Sequence, residues 1–363
     1  MTVLVRAAAL SNYGQVARQV GLDPNKMLRR ARLDPAVLKN PDQRIPASVV
    51  AALLEESAAQ SGCASFGLRM AEARQLSDLG AISLLLKHQG TLREIFAIMT
   101  RYRHWLNEAL AMHIEDFKDL VIIREELVSE GEPLARQSNE LAVGTILRMF
   151  RALLGDRWQP DSVHFIHSAP ADLSVHRRLF GPNLRFDSDF NGIVCAAADL
   201  DRPNPAADPV MAAYAQQFLE TLPKSEPGST TLDARKAIYL LLPTGKASIE
   251  HVAKNLGLHL RTLQRQLDAE NTSFSDLLNG VRRDLTIRYL SNKRYSLLQV
   301  AEILGYSQLS SFTRWFGLEF GMSPSRWRVA NTKTNPLLNA RTARSRSNRS
   351  ERRGHMLQLA NKE

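Results

Sequence analysis

Only two cysteines, Cys63 and Cys195, occur in 363 residues. That excludes a disulfide framework and any paired-cysteine zinc motif, and two isolated cysteines read as reduced thiols. Cys195 sits in an apolar run, Ile193-Val194-Cys195-Ala196, where an inert buried thiol is expected. No run of about 18 uncharged apolar residues is present, so no membrane span is expected. Near the N-terminus Arg6 and the short stretch Ala7 to Leu10 give way to Ser11-Asn12, which does not resemble a secretory signal. Gly-x-Ser-x-Gly and phosphate-loop motifs are missing as well. His164 and His167 stand three apart with no third ligand near them in sequence; on one strand they would point to opposite faces. No catalytic set, metal site or cofactor is therefore expected.

What the chain has is an uneven charge. Apolar residues make up 44%, enough for real cores, and the net charge is +10. Residues 1–228 carry 25 Lys/Arg against 27 Asp/Glu. Residues 229–330 carry 14 against 8, and residues 331–363 carry 8 against 2. The basicity is concentrated in the last third, as a phosphate-binding face requires.

The same region holds a phrase written twice. Val252-Ala253-Lys254-Asn255-Leu256-Gly257 returns as Val300-Ala301-Glu302-Ile303-Leu304-Gly305. Each copy follows a serine and an apolar residue, Ser248-Ile249 and Ser296-Leu297. Each precedes an amphipathic stretch ending in Arg265-Gln266-Leu267 or Arg314-Trp315-Phe316. The pattern predicts a helix, a tight turn and a second helix, twice. The small alanine lets the helices cross closely, and the glycine accepts the left-handed backbone that ends the first helix. Ser248 is a candidate N-cap, and Ser296 with Gln299 a candidate capping box. Ile249, Val252, Leu256, Leu263 and Leu267 should form the core of the first unit. Outward lie Arg261, Thr262, Gln264 and Arg265 in the first unit and Leu309, Ser310, Thr313 and Arg314 in the second. Arginine bonds bidentately to guanine, glutamine to adenine, and an apolar side chain meets the thymine methyl. Between the units, Phe274, Leu278, Val281, Leu285 and Tyr289 repeat at helical spacing. A helix of about 18 residues is about 27 Å long. With its end turns it places two recognition helices about one DNA turn apart, on the order of 34 Å.

These residues resemble the DNA-binding domain of the AraC-type transcriptional regulators. The resemblance rests on LGLHLRTLQRQL (256–267), VRRDLTIRYL (281–290), VAEILGYSQLSSFTRWF (300–316) and GMSPSRWR (321–328). In the last piece Ser323 can cap a closing helix with Pro324 at its first position, and Trp327 can seal the core. The resemblance implies base reading by Arg261, Gln264, Arg265, Leu309, Ser310, Thr313 and Arg314. Two positions depart from the family pattern: His259 stands where a capping serine is usual, and Thr286 replaces a usual alanine.

The preceding residues alternate between textures. Residues 1–112 read as helical, with apolar residues at three- and four-residue steps through Val49, Leu53, Leu54 and Ala58, then Leu92, Ile95, Phe96 and Met99. Val16 to Gly21 echoes the repeated phrase and reads as a helix-turn element of the helical entry, since no second copy follows it at DNA spacing. Residues 113–222 read as α+β. The expected elements are a hairpin around Asp116–Asp119, a helix over 136–154, a strand Val163–Ile166 and a helix Ala171–Phe180. A strand pair from Leu184–Phe186 and Gly192–Cys195 and a helix Asp208–Leu222 follow. GDRWQPDSVHFIHSAPADLSVHRRLFG (155–181) and the F-x-x-x-x-N-G stretch at Phe186–Gly192 resemble the arabinose-binding-like sensor domain of a subgroup of the same family. The texture argues against an all-β jelly roll.

The expected fold is thus an α+β N-terminal sensor domain and an all-α C-terminal domain with two helix-turn-helix units joined by a long linker helix. The expected limits are 1–222 for effector sensing and dimerisation, 223–231 for a linker, 232–330 for DNA binding and 331–363 for a basic disordered tail. Tyr102 and Trp105 are the candidate effector-pocket residues. The expected partners are double-stranded promoter DNA, RNA polymerase, a small-molecule effector and a second copy of the chain, in the cytoplasm. The alternatives are an enzyme fused to a DNA-binding domain and a ligand-independent DNA organiser.

Overall fold

The computed structural model describes residues 2–128, 136–222 and 229–334. It divides into two compact units, Met1–Leu240 and Leu241–Glu363.

The first unit opens with a two-stranded ribbon that the helical reading of 1–112 missed. Strands β1 (Leu4–Arg6) and β2 (Arg44–Pro46) pair antiparallel, with Val5 opposite Ile45. Three-residue strands are too short to show a period of two, and Ile45-Pro46 carries the signature of a turn. Helices otherwise fill this stretch: α1 (Tyr13–Gln19), α2 (Pro24–Arg30), α3 (Ala47–Ser61), α4 (Phe66–Glu72), α5 (Ile82–Lys87), α6 (Leu92–Arg101) and α7 (Arg103–Leu106). The hairpin follows as β3 (Leu110–Phe117) and β4 (Leu120–Leu127), turning at Lys118 and Asp119. Helix α8 (Arg136–Leu154) has the expected limits.

The remaining strands are β5 (Ser162–His164), β6 (Leu184–Arg185) and β7 (Asn191–Ala196), with α9 (Ser174–Phe180) between β5 and β6. The five-stranded sheet runs β3-β4-β7-β5-β6. The expected pairing of 184–186 with 192–195 is therefore corrected, since β5 lies between β6 and β7. The β5–α9–β6 connection is a crossover, and a crossover delivers a parallel neighbour. The strand expected over 163–166 also ends at His164. Helix α8 covers one sheet face. Its Val143, Ile146, Leu147 and Phe150 are buried with Val121 and Ile123 of β4 and Ile193 of β7. Helices α10 (Ala197–Leu200), α11 (Pro209–Thr221) and α12 (Thr230–Leu241) complete the unit. Of the linker expected over 223–231, residues 223–228 lie outside the described residues, and α12 already begins at Thr230.

The second unit is helical: α13 (Ile249–Asn255), α14 (Leu260–Ala269), α15 (Phe274–Ser291), α16 (Leu297–Ile303), α17 (Leu309–Phe320) and α18 (Pro324–Thr334). Helix α18 runs four residues into the segment expected to be tail; the rest of that segment, 335–363, lies outside the described residues.

Candidate nucleic-acid interface and effector cavity

The repeated phrase builds the same turn twice, down to its hydrogen bonds. Helix α13 starts at Ser248, whose hydroxyl accepts the His251 N–H at 3.3 Å. Val252 and Ala253 are buried. Gly257 takes φ +69°, and the Leu258 N–H then reaches back to the Ala253 carbonyl at 2.9 Å. In the second copy Gly305 takes φ +76°, and Tyr306 N–H reaches the Ala301 carbonyl at 2.9 Å. Without a Cβ, glycine holds this left-handed conformation at no steric cost. The capping box is also formed: Ser296 Oγ accepts Gln299 N–H at 3.1 Å, and Gln299 Oε1 accepts Ser296 N–H at 2.8 Å. The copies also differ in the length of their turns. Four residues, 256–259, separate α13 from α14, and five, 304–308, separate α16 from α17. Arg261, Gln264 and Arg265 therefore correspond to Ser310, Thr313 and Arg314.

Amphipathicity decides which side of each second helix is free. In α14 Leu263 and Leu267 are buried, while Ile249 and Leu256 of the expected core are half-buried. Opposite them Arg261, Gln264 and Arg265 are exposed, and Thr262 is half-buried. In α17 Phe312 and Phe316 are fully buried, and Leu309, Ser310, Thr313 and Arg314 are exposed. Among the described residues, none forms an ion pair with Arg261, Arg265 or Arg314. All eight residues expected to face DNA thus lie on the second helices of the two units, seven of them exposed. His259 precedes α14 without a side-chain cap.

The linker helix α15 ties the units together. Ser273 caps it by accepting Asp276 N–H at 3.1 Å. Val281, Leu285 and Tyr289 are buried, and Phe274 and Leu278 half-buried. Arg282 lies 4.6 Å from the Tyr306 ring and donates to the Leu304 carbonyl at 3.0 Å, which clasps the second turn. Arg283 pairs with Glu319 of α17. Thr286 is buried in place of the usual alanine, and its hydroxyl is satisfied by the Arg282 carbonyl at 2.6 Å. Ser323 Oγ accepts Arg326 N–H at 3.3 Å to start α18 behind Pro324. Trp327 stands edge-on to Phe316, ring centroids 6.4 Å apart.

The first unit contains a cavity of about 170 Å³, walled by α3, α8 and the neighbouring strands and loops. Tyr102 and Trp105 do not line it. Both are half-buried against the apolar core, and Met99, Leu106 and Asn107, on either side of them in sequence, reach the wall instead. An aromatic pair was the visible signal, but the wall is mostly aliphatic, with Arg6, Arg74, Asp78, Asn107, Ser138 and Thr145 set into it and no aromatic side chain.

Sequence distance also hid a buried charged cluster. His167 and His176 both approach Glu140 Oε1, at 3.3 and 2.9 Å, and Arg136 Nε donates to the same oxygen at 2.8 Å. Burial would raise the Glu140 carboxyl. The His176 hydrogen bond and the nearby charges outweigh it and hold the group below its ordinary value. His164 is separate, bonded to Ser162 and Ser188 and stacked on Phe190. Burial, with Arg185 and Arg124 nearby, lowers its pKa to about 4. Cys63 and Cys195 are both free, and burial pushes Cys195 up to about 12.

Comparison with known proteins matches both units. The family model for the arabinose-binding domain of AraC transcription regulator, N-terminal, covers residues 21–204, and a helix-turn-helix domain model covers 252–330. The HTH-type transcriptional regulator VirS of Mycobacterium tuberculosis is 32% identical over 330 residues, which is 90% of this chain and 96% of VirS. The ornithine utilization regulator of Pseudomonas aeruginosa is 24% identical over 90% of this chain and 97% of its own. The crystal structure of the transcriptional regulator CdpR from Pseudomonas aeruginosa aligns with 84% of this chain and 96% of its own, at 21% identity and a TM-score of 0.39. Two helix-turn-helix units behind an arabinose-binding-like N-terminal domain, with a relative of this likeness along nearly its whole length, make the chain a member of the AraC-type helix-turn-helix transcriptional regulators.

Proposed function

We propose that this regulator reads a promoter by placing α14 and α17 in two successive major grooves of one DNA face. Arg261, Thr262, Gln264 and Arg265 contact the first groove; Leu309, Ser310, Thr313 and Arg314 contact the second. The observation that carries this reading is the exposure of Arg261, Gln264 and Arg265 and of Ser310, Thr313 and Arg314 at equivalent positions of two duplicated units, joined by a helix about 27 Å long. Arg265 and Arg314 are the base-reading pair common to both units. The first unit senses a small molecule, and the effector shifts a population by binding two arrangements with different affinity. The active form is a cytoplasmic homodimer that contacts RNA polymerase, with no turnover chemistry of its own. Val210, Tyr214 and Phe218, exposed on α11, support the dimer. Residues 232–330 remain the proposed DNA-reading portion, although α12 groups with the first compact unit.

The test is selection of bound sequences from a random duplex library by the full chain. For each bound chain, the selected site should carry two conserved blocks about 10 base pairs apart. Recovery of unrelated sequences would favour a sequence-independent organiser. Sedimentation of wild type and Tyr214→Glu tests the dimer; a wild-type monomer at all concentrations contradicts it.

A further inference from the structure

One face of α8 runs the length of the cavity. Ser138, Leu141, Ala142, Thr145, Ile146 and Met149 line it, spaced three and four apart. From Ser138 to Met149 this stripe is about 16 Å long. Apolar side chains such as Val50, Leu54, Met99 and Leu127 supply much of the rest of the wall.

A cation interrupts that apolar wall. Arg74 is only 7% exposed. Its Nη1 and Nη2 donate to the Ala8 and Ala9 carbonyls, each at 2.6 Å. Its Nε–H is buried and has no acceptor. Among the described residues no carboxylate forms an ion pair with it. Asp78, also in the wall, accepts the Gln75 N–H at 3.0 Å, and Arg6 is paired with Asp42 at 2.6 Å. Desolvation lowers the Arg74 pKa to about 10. A buried guanidinium with an empty donor is costly unless something completes it.

The two ends of the stripe differ. Gly67 N–H bonds Gln137 Oε1 at 2.8 Å, and Arg148 Nε donates to the Arg74 carbonyl at 3.4 Å. Arg74 therefore belongs to the Met149 end. Ser138 belongs to the other end, and its Oγ is likewise buried without a partner.

We infer that this cavity binds a small organic carboxylate, the carboxylate accepting the Arg74 Nε–H and the apolar body lying along the α8 stripe. The inference rests on the reading of the first unit as the effector domain and names the ligand class. A cavity of about 150 Å³ holds benzene, so 170 Å³ takes one ring or an alkyl chain of similar bulk. A sugar does not suit this wall, because most of its hydroxyls would be buried without partners.

The experiment is calorimetric titration of the full chain with phenylacetate, hexanoate, phenylacetamide and arabinose. One of the two carboxylates should bind saturably at one site per chain, and which one binds better separates an aryl source from an alkyl source. Phenylacetamide should bind at least tenfold more weakly, and arabinose not at all. No binding by either carboxylate, or equal binding of the amide, overturns the inference. Arg74→Met removes the donor but also frees Ala8 and Ala9, so Ala142→Leu is the second variant: it fills the stripe and leaves Arg74 intact. A folded Ala142→Leu chain should lose carboxylate affinity at least tenfold; unchanged affinity would put the site elsewhere. DNA affinity, measured with and without the bound carboxylate, separates the two readings. Binding that leaves DNA affinity unchanged upholds the site and removes effector control from the proposed function.

Discussion

Replacing Arg265 by alanine isolates one proposed base contact. The side chain is exposed on the free side of α14, opposite the buried Leu263 and Leu267. It has no ion-pair partner among the described residues, so its removal strands no buried charge. Alanine is also the better helix former, and a change at such a surface position should alter stability by no more than about 0.5 kcal/mol. The loss on DNA is larger. A bidentate arginine–guanine contact contributes about 1–3 kcal/mol of discrimination, which at about 1.4 kcal/mol per tenfold is roughly 5- to 150-fold in affinity. The assay is equilibrium binding of wild type and variant to the selected site and to duplexes carrying each other base at every position. The variant should lose affinity for the selected site, keep its melting temperature, and stop discriminating at one base pair. An equal loss on every duplex would make Arg265 a phosphate contact and refute its assignment as a base reader.

Other perturbations test other parts of the account. If two grooves are engaged, the full chain should neutralise on the order of 6–10 phosphates, and log affinity should fall against log salt with a slope of about −5 to −9; a slope near zero contradicts the docking. Ser296→Ala removes half of a formed capping box and should cost about 1 kcal/mol in denaturant unfolding, whereas His259→Ser supplies a cap that α14 lacks and should stabilise by about 0.5 kcal/mol or more. Equal effects of the two changes would refute the capping argument. His164 has a folded pKa of about 4 against an ordinary value of 6.5, so the unfolded chain takes up its proton first as pH falls. Its contribution to stability is then present above about 6.5 and lost as pH falls toward about 4. A melting-temperature profile of His164→Asn should be flatter than wild type in that window, and an unchanged profile would show that His164 does not titrate this way.

The helix-turn-helix units were legible in the sequence because their determinants are local. Glycine at 257 and 305, serine at 248 and 296, and apolar residues three and four apart each act within one or two turns of helix. The exposed faces followed from the same periodicity. What stayed hidden depends on contacts between distant residues. Val5 meets Ile45 across 40 residues, in strands too short to show alternation. The place of β6 is set by the α9 crossover, not by its own two residues. Arg74 sits in an ordinary charged stretch, and only the fold shows that it is buried in the wall of a cavity. Tyr102 and Trp105 drew attention by their rings, but packing gave the cavity to smaller neighbours. Glu140 and His176, 36 residues apart, form a bond that no spacing rule suggests.

The central claim, one chain reading two successive grooves, is tested most directly by hydroxyl-radical footprinting of the full chain on its selected DNA. For each bound chain, wild type should protect two blocks on one face of the duplex, about 10 base pairs apart. Arg265→Ala should weaken one block and Arg314→Ala the other. A single protected block, or the same block weakened by both variants, would contradict the account.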